Sequence, residues 1–176
     1  GNYKSTTLRL SRSLENYGYL EKEPNGKYKL GPAINKLISV YDDSFNYKEL
    51  IQAQLEEITR FTNETASFFV RQKSNRICVL TSEPYKVIKH TVQIGTLKPI
   101  NTGASGHILS AYHNLKIKNK DSILANGYSM SFGEIDKEIA SVSVPLMSAS
   151  VKILGALTIS GHISNFNKKN SLKFLN

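Results

Sequence analysis

The sequence predicts an α+β protein. Three patterns carry that expectation. Apolar residues recur at helical spacing over 6–17, 33–45 and 47–61. An Asn25-Gly26 pair separates two short alternating segments. After Glu64 the pattern changes to period-two alternation. The chain has 176 residues, 40% of them hydrophobic and 21% charged, a balance that suits a folded core rather than disorder. A chain of this length buries roughly 70% of its unfolded surface. No stretch approaches the roughly 18 uninterrupted apolar residues of a membrane-spanning helix. Gly1–Thr7 has no apolar run of the signal-peptide kind. The single cysteine, Cys78, excludes an internal disulfide or a multi-cysteine zinc site and fits a reducing cytosol.

The net charge of +9 raises the expectation of a polyanionic partner such as nucleic acid. The excess is spread along the chain: +3 over residues 1–31, +2 over 32–100 and +4 over 101–176. The first segment is densest, but a basic surface without such a partner is equally compatible.

In chain order, Ser5 stands where a helix N-cap is expected, and Leu8, Leu10 and Leu14 mark a mostly apolar face over 6–17. Gly18 is the expected stop. The Asn25-Gly26 turn lies between Tyr19-Leu20-Glu21-Lys22 and Lys27-Tyr28-Lys29-Leu30, so a small basic hairpin follows. Helix plus hairpin is the outline of a winged DNA-binding unit, and also of an ordinary surface αββ element. Pro32 starts a second helix through Ala33, Ile34, Leu37, Ile38 and Tyr41 to about Phe45. Its stripe is either a core face or a dimer seam. A third helix spans Tyr47–Phe61, with Leu50, Ile51, Leu55, Ile58 and Phe61 on its stripe. Strands are expected at Thr65–Arg71, Arg76–Ser82 and Tyr85–Ile94. An apolar helix follows Asn101–Gly106, and a short one ends at Gly127. Further strands are expected at Tyr128–Phe132, Ile139–Met147 and Lys152–Ser160, then a helical tail.

Gly103-Ala104-Ser105-Gly106 opens the apolar helix. Two glycines there either let backbone N–H groups converge on an anion, which the helix dipole favours, or serve only a tight turn. Thr158 and Ser160 share a strand face, as do Ser141 and Ser143; such hydroxyls suit either a polar ligand or an exposed polar sheet. Glu134 orients a ligand hydroxyl or caps a turn. Cys78, between Ile77 and Val79, reads as a buried thiol. His90, His107, His113 and His162 have no metal-ligand spacing, so no metal or cofactor is expected. A hydrolase built on Ser105 is disfavoured because Gly-x-Ser-x-Gly is absent.

The ordered set Ser5-Thr6-Thr7-Leu8-Arg9-Leu10, Gly18-Tyr19-Leu20-Glu21 and Asn25 to Pro32 resembles the recognition helix, wing and linker start of the IclR family of transcriptional regulators. Glu64-Thr65-Ala66-Ser67, Gly103-Ala104-Ser105-Gly106, Gly127-Tyr128, Ser131, Gly133-Glu134, Ala140-Ser141-Val142 and Gly155 to Gly161 are similar to its effector domain. The resemblance implies a partial winged helix-turn-helix over 1–31, a linker helix over 32–46 and a GAF/PAS-like effector domain over 47–176. It implies that the motif's earlier helices precede residue 1, that Ala111–Leu124 is short for the family, and that the C-terminal helix is cut short. It implies a cytoplasmic, non-enzymatic regulator, a homodimer or tetramer, that binds double-stranded operator DNA and a small carboxylate effector. Operator contacts fall to Lys4, Ser5, Thr6, Arg9, Lys27 and Lys29. Effector contacts fall to Gly103, Ala104, Ser131, Ser141, Thr158 and Ser160. His107 replaces a common Lys or Arg, and Ser131 stands at or near a common acid. The alternative is a sensor acting on a protein partner.

Overall fold

In the computed structural model, residues 3–44 and 47–166 are described, without the side chains of residues 3, 4, 39 and 41–44. The chain divides into two compact units, Gly1–Lys48 and Glu49–Asn176.

In the first unit, α1 (Tyr3–Asn16) is followed by β1 (Leu20–Lys22), β2 (Tyr28–Leu30) and α2 (Ile34–Ser44). Because α1 already includes Tyr3, Ser5 lies inside the helix and is not its cap. Leu8, Leu10 and Leu14 are all exposed, so they do not form a buried face within this unit. Gly18 closes α1 as expected, at φ +73°. Its N–H donates to Glu15 O at 2.9 Å and that of Tyr19 to Leu14 O at 2.8 Å, the paired bonds of a Schellman end. β1 and β2 pair antiparallel, Glu21 opposite Lys29. Gly26 turns the hairpin at φ +82°, and Asn25 Oδ1 accepts from the Lys27 N–H at 2.8 Å. Gly31 admits no side chain: a Cβ there would lie 2.2 Å from Gly18 O. Phe45, the expected end of α2, lies outside the described residues.

The second unit is a six-stranded, wholly antiparallel sheet. Its strands are β3 (Thr65–Gln72), β4 (Asn75–Ser82), β5 (Leu97–Pro99), β6 (Ser129–Phe132), β7 (Ile139–Met147) and β8 (Ile153–His162), in the order β5-β4-β3-β8-β7-β6. Helix α3 (Lys48–Thr62) buries Ile51, Leu55 and Thr59, one row at i, i+4, i+8. Leu50 and Phe61, expected on that stripe, are exposed instead. Ile58 packs on Ala140, Val142, Ile159 and Phe166.

Helix α4 (Gly103–Tyr112) is almost entirely buried and packs on β6, β7, β8 and β3. Ile108 and Leu109 join Phe69, Cys78 and Ala156 in the main core; burying an Ile, Leu or Phe side chain contributes about 1.5–3 kcal/mol. The expected strand Tyr85–Ile94 does not form. Residues 83–96 run as an irregular segment, and the strand beside β4 is Leu97–Pro99. Tyr85, Val87, Ile88 and Ile94 point outward and exposed, whereas Val92 is buried, so the alternation reflects a loop with two faces rather than a ladder. Helix α5 (Lys120–Asn126) ends at Gly127, φ +74°. The predicted helical tail lies beyond the described residues.

Candidate functional site

Period two decides which side chains meet α4. In register, Ser160 lies opposite Thr65 and Ser141, Thr158 opposite Ser67 and Ser143, and Ala156 opposite Phe69. One sheet face therefore carries a block of hydroxyls next to an apolar patch. A bulge at Phe68/Phe69 shifts β4 by one residue, so that Phe69 opposes Cys78 rather than Val79. Without that offset every β4 side chain beyond it would change face. The bulge is what turns Arg76 and Cys78 towards α4.

Between this face, α4 and residues 90–98 lies a cavity of about 260 Å³. Ala104, Ser141, Thr158 and Ser160, four of the six effector residues expected from sequence, line it together, along with Arg76, His90, Lys98, Ser105 and Asp136. Phe69, Val92, Ile135 and Ile139 supply its apolar wall. The mixture of a mostly apolar wall and a few converging polar groups is that of a small-molecule site.

The hydroxyls are held in place. Ser143 Oγ donates to Leu157 O at 2.8 Å and lies 2.9 Å from Thr158 Oγ1. Ser160 Oγ lies 2.8 Å from His90 Nδ1. Thr65 Oγ1 donates to His90 O, so His90 is tied to the sheet at both ring and backbone. Burial lowers the pKa of His90, against a smaller upward pull from Asp136, with Lys98 lowering it further and Glu83 raising it. The imidazole is accordingly neutral at pH 7.

The other two expected residues, Gly103 and Ser131, are not among the lining residues. They meet at Glu134, whose Oε2 accepts from the Gly103 N–H at 3.0 Å and from Ser131 Oγ at 3.0 Å. His107 joins them, with Nε2 3.2 Å from Glu134 Oε1 and Nδ1 3.1 Å from Ser129 Oγ. Of the two readings for Glu134, the geometry gives the cap: its carboxylate sits on the N-terminus of α4. Burial alone would raise its pKa, but His107, the Gly103 N–H and Ser131 outweigh that and hold the carboxyl below its usual range. Gly103 has φ +69°, and a Cβ there would lie 2.6 Å from Ile135 Cδ1.

Sequence reasoning did not single out Arg76. It is 2% exposed, its Nη1 donates to Pro99 O, and its Nε has no partner. The guanidinium stands 5.6 Å from the Phe69 ring centroid. Burial lowers its pKa to about 10, against an upward pull from Glu134; it stays charged at pH 7. A buried arginine in a predominantly β sequence is the available signal, but its address depends on the bulge.

In the first unit, Ser5, Thr6 and Arg9 are exposed on α1. Lys27 is exposed in the turn, and Lys29 Nζ pairs with Glu21 Oε2 at 2.8 Å on the exposed hairpin. The Lys4 side chain is outside the described set. Among the described residues no cluster of His, Cys, Asp and Glu could hold a metal. No described helix is long and apolar enough to cross a membrane.

Comparison with known proteins agrees with this architecture. Residues 40–122 match the model of the bacterial transcriptional regulator IclR C-terminal domain. The chain is 22% identical to the HTH-type transcriptional regulator KipR of Bacillus subtilis (strain 168), over 94% of this chain and 76% of that protein. It is 22% identical to the glycerol operon regulatory protein of Streptomyces coelicolor, over 98% of this chain and 78% of that protein. Among solved structures, an IclR transcriptional regulator from Alicyclobacillus acidocaldarius superposes with a TM-score of 0.81 at 22% identity, covering 98% of this chain and 80% of the other. Thermotoga maritima IclR gives 0.72 at 17% identity, covering 97% and 79%. A family model over the centre of the chain, relatives matched over nearly its whole length and the shared fold point the same way: the chain is similar throughout to IclR-type transcriptional regulators, and residues 40–122 to their C-terminal domain.

Proposed function

We propose that the cavity between α4 and the sheet is the effector site and that its ligand is a small carboxylate. The observation that carries this reading is the convergence of Ser141, Thr158 and Ser160 with the buried, incompletely paired Arg76 on one cavity of about 260 Å³. That volume corresponds to about nine waters at about 30 Å³ each, which suits a metabolite of few carbons. Ala104, Ser141, Thr158 and Ser160 contact the ligand. Gly103 and Ser131 act from behind it, through Glu134.

The first unit supplies the DNA contacts in this reading. Arg9, Ser5, Thr6 and Lys4 lie on the helix that enters a groove, while Lys27 and Lys29 of the hairpin meet phosphates. Residues 1–31 form the recognition helix and wing, 32–46 the linker and 47–176 the sensor, acting as a homodimer or tetramer. The effector shifts operator affinity only by binding one arrangement of the assembly better than another.

Thermal melting against a panel of small aliphatic and aromatic carboxylates tests the sensor half. A ligand at about 100 times its Kd stabilises by about 2.7 kcal/mol, a shift of several degrees. A selective shift lost in Ser160→Ala and Thr158→Val is the expected result. No shift with any carboxylate contradicts the reading.

A further inference from the structure

We infer that residues 83–96 are a gate over the cavity, hinged at both ends and held shut by Lys86 on Glu64 and by His90 on Ser160. The inference rests on the effector-site reading above and adds how a ligand reaches that site.

Ala104, Ser105, Thr158 and Ser160 line the cavity, yet each is buried, so a ligand reaches them only if a wall moves. The segment 83–96 supplies one wall, through His90, Thr91, Val92 and Thr96. Its outward side carries Tyr85, Val87 and Ile88, all exposed. The ends of the segment are fixed. Thr59 Oγ1 donates to Ser82 O at 3.1 Å, just before it starts. At the far end the Gly95 N–H donates to Cys78 O at 2.8 Å, and the Cys78 N–H to Thr96 O at 3.1 Å. Among the described residues, no backbone-to-backbone hydrogen bond ties residues 83–94 to a strand. Segments with so few such bonds open at the lowest free energy. Gly95, at φ +87° with open space where a Cβ would stand, is the far hinge.

Two side-chain latches take the place of a ladder. Lys86 Nζ pairs with Glu64 Oε1 at 2.9 Å. Glu64 is 4% exposed and its Oε2 has no partner. A Cβ on Gly161 would stand 2.1 Å from that oxygen, so the carboxylate sits in a tight seat. Asn165 Nδ2 also donates to Oε1, at 2.9 Å. Lifting the segment withdraws Lys86 and leaves a buried carboxylate without its cation, which favours the shut form. His90 is the second latch: its O accepts from Thr65 Oγ1, and its Nδ1 lies 2.8 Å from Ser160 Oγ. Because Ser160 also lines the cavity, a ligand that bonds its hydroxyl competes with this latch. Lys89 Nζ pairs with Glu83 Oε2 at 2.8 Å inside the segment, so the segment moves as one piece.

The test reads access to the cavity without a ligand. Ser105→Cys puts a thiol on the cavity wall, and the whole chain is labelled with methyl methanethiosulfonate, peptide mass spectrometry separating the new thiol from Cys78. Cys78 is fully buried in the core and serves as the clock for global unfolding. The introduced thiol is expected to react faster than Cys78, at a rate that low urea barely changes, which marks a local opening. Lys86→Met is expected to raise the ratio of the two rates about tenfold. Labelling only in step with Cys78, labelling as fast as free cysteine, or a ratio unchanged by Lys86→Met overturns the gate. Hydrogen exchange of the unsubstituted chain is the second measurement. Residues 83–96 are expected to exchange through an opening that β3 and β8 do not share, and equal protection of all three overturns the gate. No ligand enters either experiment, so these outcomes are separate from failure of the effector-site reading, which the melting panel reports.

Discussion

The carboxylate of Glu134 accepts the backbone N–H of Gly103 at 3.0 Å, across 31 residues of sequence. The helix that floors the cavity is thus capped by a side chain from the β6–β7 connection, because Thr102, at its N-cap, makes no side-chain cap bond. The helix dipole favours negative charge at that position. Glu134→Gln keeps the shape and removes the charge. Since this carboxylate is more than a third exposed, the expected loss is at the low end for a helix terminus, about 0.5 kcal/mol. A denaturant titration of the two proteins measures it.

That same group gives a pH dependence with a defined sign. The folded-state pKa of Glu134 lies below its ordinary value, so its stabilisation is present above the unfolded carboxylate pKa and is lost as pH falls through the folded one. His90 gives a second dependence, at higher pH. Burial lowers its pKa from 6.5, so the unfolded chain binds the proton first, and stability declines as pH falls below 6.5. Melting temperatures of wild type and His90→Gln between pH 7.5 and 5.5 separate the two, with the smaller decline in the variant.

Gly106 lies where α4 crosses the Arg76 side chain. A Cβ there would stand 2.5 Å from Ile100 O and 2.8 Å from Arg76 Nη1. Gly106→Ala is therefore expected to destabilise by about 1–3 kcal/mol despite alanine's better helix propensity, because the crowded neighbour is backbone. Equal or higher stability in equilibrium unfolding would show that α4 has room to shift.

Cys78 is fully buried, and burial pushes its thiol to about 11. A thiol without thiolate character or access does not react. The native chain is expected to resist a thiol reagent at pH 8 and to be labelled at once in denaturant.

Arg9→Ala is expected to weaken operator binding and flatten its salt dependence by about one charge while leaving effector affinity unchanged. Parallel loss of both contradicts the division of labour. Mobility-shift titration at several salt concentrations, beside calorimetry, measures the two quantities.

The sequence made some of this legible and not the rest, for physical reasons. Gly18 and Gly26 mark their turns because positive φ is needed there. Ser141, Thr158 and Ser160 reach one cavity because a strand's period is two and β7 pairs with β8 in simple register there. The segment 83–96 misleads because its alternation separates a cavity side from a solvent side without any ladder. Arg76 and Lys98 escape notice for another reason. Only a bulge between Phe68 and Phe69 and a three-residue pairing of β4 with β5 bring them together, and neither leaves a local pattern.

The most direct test of the cavity's role is a crystal structure of the chain with the carboxylate that raises its melting temperature most. The account predicts density for that acid between α4 and the sheet, its carboxylate on Arg76 and its remainder towards Ser141, Thr158 and Ser160. Density elsewhere, with this cavity empty, would contradict it.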